Sequence, residues 1–589
     1  MNQIRIFFST FSRKTKKHFL ESTFITKWDY LAMGVLTLFF TILVFYRIGN
    51  TSAPQSAYTA TTEDRDIVID LGDYVDVGSI HMFLGNLNTR KFSISAFNEV
   101  TGAWEVLQGE TAAESVLFCW NYTDLNVTAR YVRISPAADT TNDSIMELVF
   151  TDTEGNVVTP VNAGDYSTLF DEQDLFPEVK TYLTGTMFDE VYHGRTAYEF
   201  IHGLVTYETT HPQLGKILIS LGIRMFGMTP FGWRFMSALF GIFMVPLFYL
   251  FAKRLFQNTF AATATTILLV FDCMHFMLSR IATIDIFVAF FIILAYYYLY
   301  RYFLADHQYR QTSESLTDPF PPFRVAVLLA LCGIGMSLAI ATKLTGVYAA
   351  AGLAILFIWY TILHFPKQQT LRLFLFCIGF FVILPLVLYT LAYIPVVGAD
   401  GYNGLIDKTI KNTRYMLWYH STLKAEHYYS SPYYEWPVIW MPLLDANDAV
   451  SATKVSAVSC MGNPAIWWVG IPCVLITFIQ WIARRDGKAG FLTIGYLAQY
   501  LPWVILGLSG GRITFIYHYF PAILFTILMM GYVIHLLLTK FPKSKIAITV
   551  YLVIAIACFF VFYPVVSGFP VSREYGMHLR LLKDWILVL

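Results

Sequence analysis

The 589-residue chain is 56% hydrophobic and only 14% charged, with 41 basic and 41 acidic side chains and a mean hydropathy of +0.52. Such a composition excludes a soluble multidomain protein of this size, and a formal net charge of zero leaves no global basic field for nucleic acid. It predicts a polytopic α-helical membrane protein with about eleven spans of ~30 Å, near 29–47, 233–252, 259–278, 284–303, 325–341, 346–364, 373–395, 466–483, 489–508, 516–538 and 546–566.

In chain order, residues 1–28 form a basic segment with Arg5, Arg13, Lys14, Lys16, Lys17 and Lys27, followed by the first span, 29–47. No small-residue cleavage site follows at the usual distance, so the run reads as a retained anchor. The positive-inside rule then places the N-terminus in the cytoplasm, and 48–232, 396–465 and 567–589 on the outer side. Residues 56–160 change character. Stretches such as Ile67-Val68-Ile69, Phe92-Ser93-Ile94 and Tyr131-Val132-Arg133-Ile134 cluster β-formers between turn residues and predict an inserted, extracytoplasmic all-β domain. Its strand pattern resembles discoidin-like (galactose-binding-like) β-sandwiches, which implies a carbohydrate- or acceptor-docking module; a spacer or interaction platform is the competing reading. A first outer loop, 180–232, the helices of 233–395, a long outer loop, 396–465, and a four-helix region, 466–566, complete the chain. Of seven cysteines only Cys119 and Cys460 fall outside apolar runs, and spacing alone does not pair them.

The chemistry-bearing residues converge on that outer side. Asp189 and Glu190 stand in Phe188-Asp189-Glu190-Val191, and His211 and Lys216 in His211-Pro212-Gln213-Leu214-Gly215-Lys216. Arg234, Arg280 and Asp285 come next, then Lys343, then His427, Glu435 and Trp436 in the long loop, and finally Arg512 and His518. Ionisable groups kept beside hydrocarbon must be hydrated, paired or proton-shifted, so a one-sided set of acids, bases and cations marks a candidate site. Each member also has a plainer reading. Cations at span ends snorkel toward headgroups, Asp285 caps the helix it begins or pairs with Arg280, the aromatics belong to an interfacial belt, and Asp272 and His275 satisfy each other within the bundle.

The chain resembles the protein O-mannosyltransferases, membrane glycosyltransferases of the GT-C type that use a polyprenyl-phosphate sugar. The likeness rests on Phe188–Val191, on His211–Lys216 against a family His-Pro-Pro-Leu-Gly-Lys, on "SRIATID" at 279–285 and on "TKLTG" at 342–346. It continues through "HYYSSPYYEWP" at 427–437, "MGNPAIWW" at 461–468, "YLPW" at 500–503 and "RITFIYHYFPA" at 512–522, which match bacterial members. Gln213 in place of the second proline, the inserted β-domain and a long loop too short for β-trefoil repeats depart from the wider pattern.

The resemblance implies transfer of mannose from a polyprenyl-phosphate carrier to Ser/Thr hydroxyls of secreted or membrane proteins in one inverting displacement. Asp189 is then the general base, with Glu190 orienting the acceptor or raising its neighbour's pKa. Arg234, Arg280, Lys343 and Arg512 are candidates for the donor phosphate and lipid, and His211, Lys216, His427, Glu435, Trp436 and His518 for acceptor or sugar. It implies no metal and no cofactor, an integral plasma-membrane enzyme in contact with lipid, and, because eukaryotic members pair, leaves a dimer open. Two rivals stand beside it: a GT-C transferase acting on a lipid or cell-wall glycan, and a non-enzymatic transporter or sugar-binding membrane protein.

Overall fold

The computed structural model describes residues 25–59, 65–85, 91–112, 117–137, 144–312, 321–364, 370–509 and 513–589. Arg512 and the basic residues Arg5 to Lys17 lie outside them. Helix α1 (Lys27–Phe45) starts at Thr26, which shares a capping box with Asp29. Asp29 is fully buried, pairs with Lys253 at 3.0 Å and accepts from the Tyr249 hydroxyl at 2.8 Å, so a charge at the head of α1 is compensated by a later helix.

An antiparallel β-region follows: β1 (Tyr58–Thr59), β2 (Ile67–Leu84), β3 (Lys91–Asn98), β4 (Ala103–Ala112), β5 (Trp120–Pro136), β6 (Ser144–Asp152) and β7 (Val157–Val158). The strand order is β1-β6-β2-β5-β3-β4, with β7 on β6. Ile67, Ile69 and Leu71 on β2, with Val132 and Ile134 on β5, are buried at alternate positions, the period expected of a strand with one inward face. Where the sequence suggests two layers, the described strands join in one hydrogen-bonded sheet. The β2–β5 pairing shifts register between Asp70 and Val75 and between Val77 and Ser79, irregularities that bend long strands. Beside the sheet, the Phe118 carbonyl accepts from Thr186 N at 3.3 Å and the Phe118 ring lies 5.2 Å from that of Tyr198.

The helices that follow are α2 (Glu190–His202), α3 (Leu214–Phe226), α4 (Pro230–Phe256), α5 (Thr259–Val270), α6 (Cys273–Leu278), α7 (Asp285–Thr312), α8 (Phe323–Thr342), α9 (Gly346–His364) and α10 (Leu371–Leu391). Next come α11 (Leu405–Thr422), α12 (Pro464–Arg484), α13 (Gly487–Leu508), α14 (Phe520–Lys540) and α15 (Ser544–Ser567). Among the described residues ten helices are long and apolar enough to cross a membrane: α1, α4, α7 to α10 and α12 to α15. The remaining expected span, 259–278, is broken into α5 and α6. Asp272 turns its carboxylate to cap α6 through His275 N at 3.0 Å and takes the Trp467 indole N–H at 2.7 Å. The His275 imidazole goes instead to the Leu269 carbonyl at 3.1 Å, so the two side chains do not satisfy each other directly.

Helices α7 and α14 form the centre of the bundle, while α10 and α15 turn Phe374, Leu386, Val550 and Val553 outward as lipid-facing helices do. The long loop and the C-terminal segment together build a small sheet of β8 (Leu443–Ala449), β9 (Lys454–Cys460) and β10 (Val571–Ser572), in the order β10-β9-β8. Cys119 and Cys460 are both buried thiols.

Candidate active site

Phe188 enters the head of α2 with φ of 46°, a left-handed conformation rarely held by a bulky side chain. Its ring packs edge-on to Tyr517, centroids 6.2 Å apart. Asp189 follows as the N-cap residue of α2, yet its side chain makes no capping bond. Glu190, Glu208 and Asp285 each hold a cation, whereas no described residue donates to the Asp189 carboxylate. Burial and the nearby charge of Asp285 push the Asp189 carboxyl up to about 7, with Lys343 pulling the other way.

Its sequence neighbour has a different task. Glu190 is fully buried and accepts from Arg234 Nε at 2.7 Å and Nη2 at 2.6 Å, from Met187 N, from Ala282 N and from the Trp233 indole. Arg234 gives its remaining donors to the carbonyls of Ile48, Tyr182 and Gly185. All five guanidinium N–H groups are committed, so the expected role of Arg234 at a donor phosphate gives way to bracing the 182–190 loop. Arg280 is corrected in the same way. It donates to the carbonyls of Val44, Tyr46 and Arg47 at 2.7–2.8 Å and to Ser567 O at 3.2 Å, satisfying acceptors that the ends of α1 and α15 leave open. Asp285 pairs with Lys343 at 2.7 Å rather than with Arg280, and Lys343 Nζ lies 5.3 Å from the centre of the Tyr517 ring.

A second polar knot contains a residue that the sequence reading missed. Glu208 is bonded to Lys216 Nζ and to the Thr210 hydroxyl, and its Oε1 lies 3.2 Å from His211 Nδ1. Burial alone would raise the Glu208 carboxyl, but Lys216 and His211 hold it well below the usual range. Lys216 spends its other hydrogen bonds on the carbonyls of Glu208 and His211 and is fully buried, so the expected contact with sugar or acceptor is not available to it. His211 keeps Nε2 outside these contacts. His193 and His420 stand edge-on to its ring at 5.9 and 5.2 Å, and burial depresses the pKa of both His193 and His211. The spacing Glu-x-x-His-x₄-Lys was the available signal, since a carboxylate was needed to hold Lys216 beside the membrane.

The long-loop aromatics also divide. Trp436 is buried, donates its indole N–H to Ser431 and stacks on His518 at 6.0 Å, while His518 stacks on Tyr517 at 4.5 Å and accepts from Phe515 N through Nδ1. Neither is an exposed lid. They form a column of rings that holds Tyr517 against Phe188 and Lys343. His427 is exposed with its ring against Phe515, and the Glu435 carboxyl is raised by burial and by Asp584, which places it toward the C-terminal segment. Asp445, absent from the sequence expectations, sits at a bulge in β8 with Oδ1 buried and without a partner; burial, Asp189 and Glu190 keep its carboxyl well above the usual range. Among the described residues the group of acids close enough to share a cation is Glu147, Asp171 and Glu172, whose oxygens already accept from Ser56, Gln55 and Gln173.

Comparison with known proteins places the fold and the family. The chain superposes on the Saccharomyces cerevisiae protein O-mannosyltransferase Pmt1–Pmt2 complex bound to the sugar donor with a TM-score of 0.58 and 14% identity, covering 68% of this chain and 89% of that one. The fold is therefore that of a GT-C membrane glycosyltransferase. Residues 226–397 match the family model for dolichyl-phosphate-mannose-protein mannosyltransferase, and residues 405–585 that for the C-terminal four-transmembrane region of protein-O-mannosyltransferase. Polyprenol-phosphate-mannose–protein mannosyltransferase of Mycobacterium tuberculosis is 26% identical over 457 residues, 66% of this chain and 84% of that protein. Its Corynebacterium glutamicum counterpart is 25% identical over 437 residues, 65% and 82% respectively. The chain belongs to the protein O-mannosyltransferase family.

Proposed function

We propose that this enzyme transfers mannose from a polyprenyl-phosphate carrier to Ser/Thr hydroxyls of secreted or membrane polypeptides, with Asp189 as general base. The observation that carries the reading is the state of Asp189, a half-buried carboxylate to which no described residue donates, while Glu190, Glu208 and Asp285 are each paired with a cation, in a chain of this family. An aliphatic hydroxyl is fully protonated near pH 7 and needs a base as it attacks, and a carboxyl that titrates near the working pH suits that task. The acceptor oxygen bonds to the anomeric carbon, its proton passes to Asp189, and the bond from that carbon to the phosphate oxygen breaks with inversion. The leaving lipid phosphate keeps its charge, so it needs a fixed cation rather than a protonating acid. Lys216, Arg234 and Arg280 spend side-chain donors on backbone carbonyls, whereas Lys343 bonds through its ammonium to Asp285 and has donors to spare. His211 Nε2, which lies outside the contacts of the Glu208 knot, is assigned to a sugar or acceptor hydroxyl.

We further place this site on the extracytoplasmic face of the plasma membrane with the N-terminus in the cytoplasm, following the distribution of Lys and Arg between loops. The test is transfer by purified protein in lipid from a radiolabelled polyprenyl-phosphate mannose to a Ser/Thr-rich peptide. Label on the peptide, released by β-elimination, is the expected product. Label on lipid or glycan alone would keep the chemistry and change the acceptor, and an unconsumed donor would sink the reading.

A further inference from the structure

A cleft of about 580 Å³ lies between the inserted β-region and the long outer loop. One wall is a face of the sheet. Ser79 pairs with Asp124 and His81 with Tyr122 across β2 and β5, so these four side chains stand on the same side. The facing wall is the end of β8 and its turn, Asn447 to Ser451, and the segment Phe176–Lys180 closes the space between them. The walls are fixed in advance. Tyr182 N donates to Asp448 Oδ2 at 3.0 Å, His81 Nε2 lies 2.8 Å from the Ser79 hydroxyl, and the Phe176 ring packs on His81 at 4.7 Å and on Trp120 at 5.3 Å. Rings beside scattered acceptors and donors, with three carboxylates, Asp124, Glu178 and Asp448, to one cation, Lys180, make a site for a neutral or basic polar chain and not for a phosphate.

Position identifies the ligand. β8 forms a wall of this cleft and also carries Asp445, whose charged neighbours are Asp189 and Glu190. Asp445 and Asp448 are three residues apart on an extended strand, about 10 Å at ~3.3 Å per residue. A hydroxyl at Asp189 and a segment in the cleft are thus bridged by roughly three to six residues of extended chain, which a polypeptide supplies. We propose that this cleft is a second acceptor subsite, binding a stretch of the substrate polypeptide a few residues from the modified Ser or Thr. The proposal rests on the transferase reading above and adds a determinant of acceptor choice that lies in the inserted β-region.

The test uses the full chain in lipid with two acceptors: a five-residue peptide centred on one Thr, and the same core extended by eight residues on each side. The wild type is expected to show a KM about tenfold lower for the long peptide, the equivalent of ~1.4 kcal/mol. Tyr122→Ala and Asp124→Lys, both at exposed positions, are expected to remove that difference while leaving kcat and KM for the short peptide unchanged. A long peptide with Ala in place of each Ser and Thr, followed by fluorescence anisotropy, is expected to bind the wild type and to bind Tyr122→Ala at least fivefold more weakly. Equal KM values for the two peptides, or variants that harm both equally, would overturn the subsite while short-peptide transfer still upheld the transferase. Binding of an oligomannoside but not of the Ala-substituted peptide would also overturn it, in favour of a glycan site.

Discussion

Replacing Glu190 by Gln keeps shape and volume but removes the charge that balances Arg234. Glu190 Oε1 accepts from Arg234 Nε and Ala282 N, and Oε2 from Met187 N, Trp233 Nε1 and Arg234 Nη2. Whichever oxygen becomes an amide NH₂, at least two donors then face a donor, and a fully buried guanidinium loses its counter-ion. Breaking one partner of a buried pair costs about 3–5 kcal/mol. Against a total margin of about 5–15 kcal/mol, this predicts a thermal midpoint lower by on the order of 5–10 °C, read as loss of monodisperse protein on heating in detergent. Arg234→Met added to Glu190→Gln should restore part of the loss, because the orphaned charge goes too. Asp189→Asn, one residue earlier, should leave the midpoint unchanged, since its side chain holds nothing. A Glu190→Gln protein as heat-stable as the wild type but without turnover would refute this division of labour and make Glu190 a direct participant.

Activity should rise with pH through a limb near 7 and then level off, because the base works only when ionised and its carboxyl is held near that value. A pH profile of kcat for Lys343→Met should show that limb moved to higher pH, and for Asp285→Asn to lower pH, as the pulling cation or the repelling anion is removed. Glu208→Gln should unfold or strongly destabilise the protein by stranding buried Lys216, by about 3–5 kcal/mol, whereas Glu208→Gln combined with Lys216→Met should recover much of the expression and thermal midpoint. Equal loss in the single and double variants would show that the pair is not what holds this loop.

The helical bundle was legible because uninterrupted apolar runs of about twenty residues have few other uses. One run was misjudged. The stretch 259–278 carries Asp272, and a carboxylate inside an apolar run with an indole within reach makes a cap, not a continuous span. The acidic pair was visible as a motif, but its two halves could not be told apart by type or spacing. Only the structure places one carboxylate on an arginine and leaves the other bare. The arginines show the same limit. A sequence reports that Arg234 and Arg280 lie near span ends, but not that carbonyls from residues up to 287 positions away in the chain consume their donors. Glu208 and Asp445 were missed for the converse reason, because an isolated acid in a loop looks solvated until a buried lysine or a second carboxylate is brought against it.

Single-turnover transfer from pre-bound donor to peptide, wild type against Asp189→Asn, bears most directly on the central claim. Loss of a general base is worth about 10²–10⁴ in rate, and the account predicts a fall of that size with donor affinity and thermal midpoint unchanged. A variant that transfers mannose within about threefold of the wild-type rate would contradict it, since no step worth a base's contribution would then depend on that carboxylate.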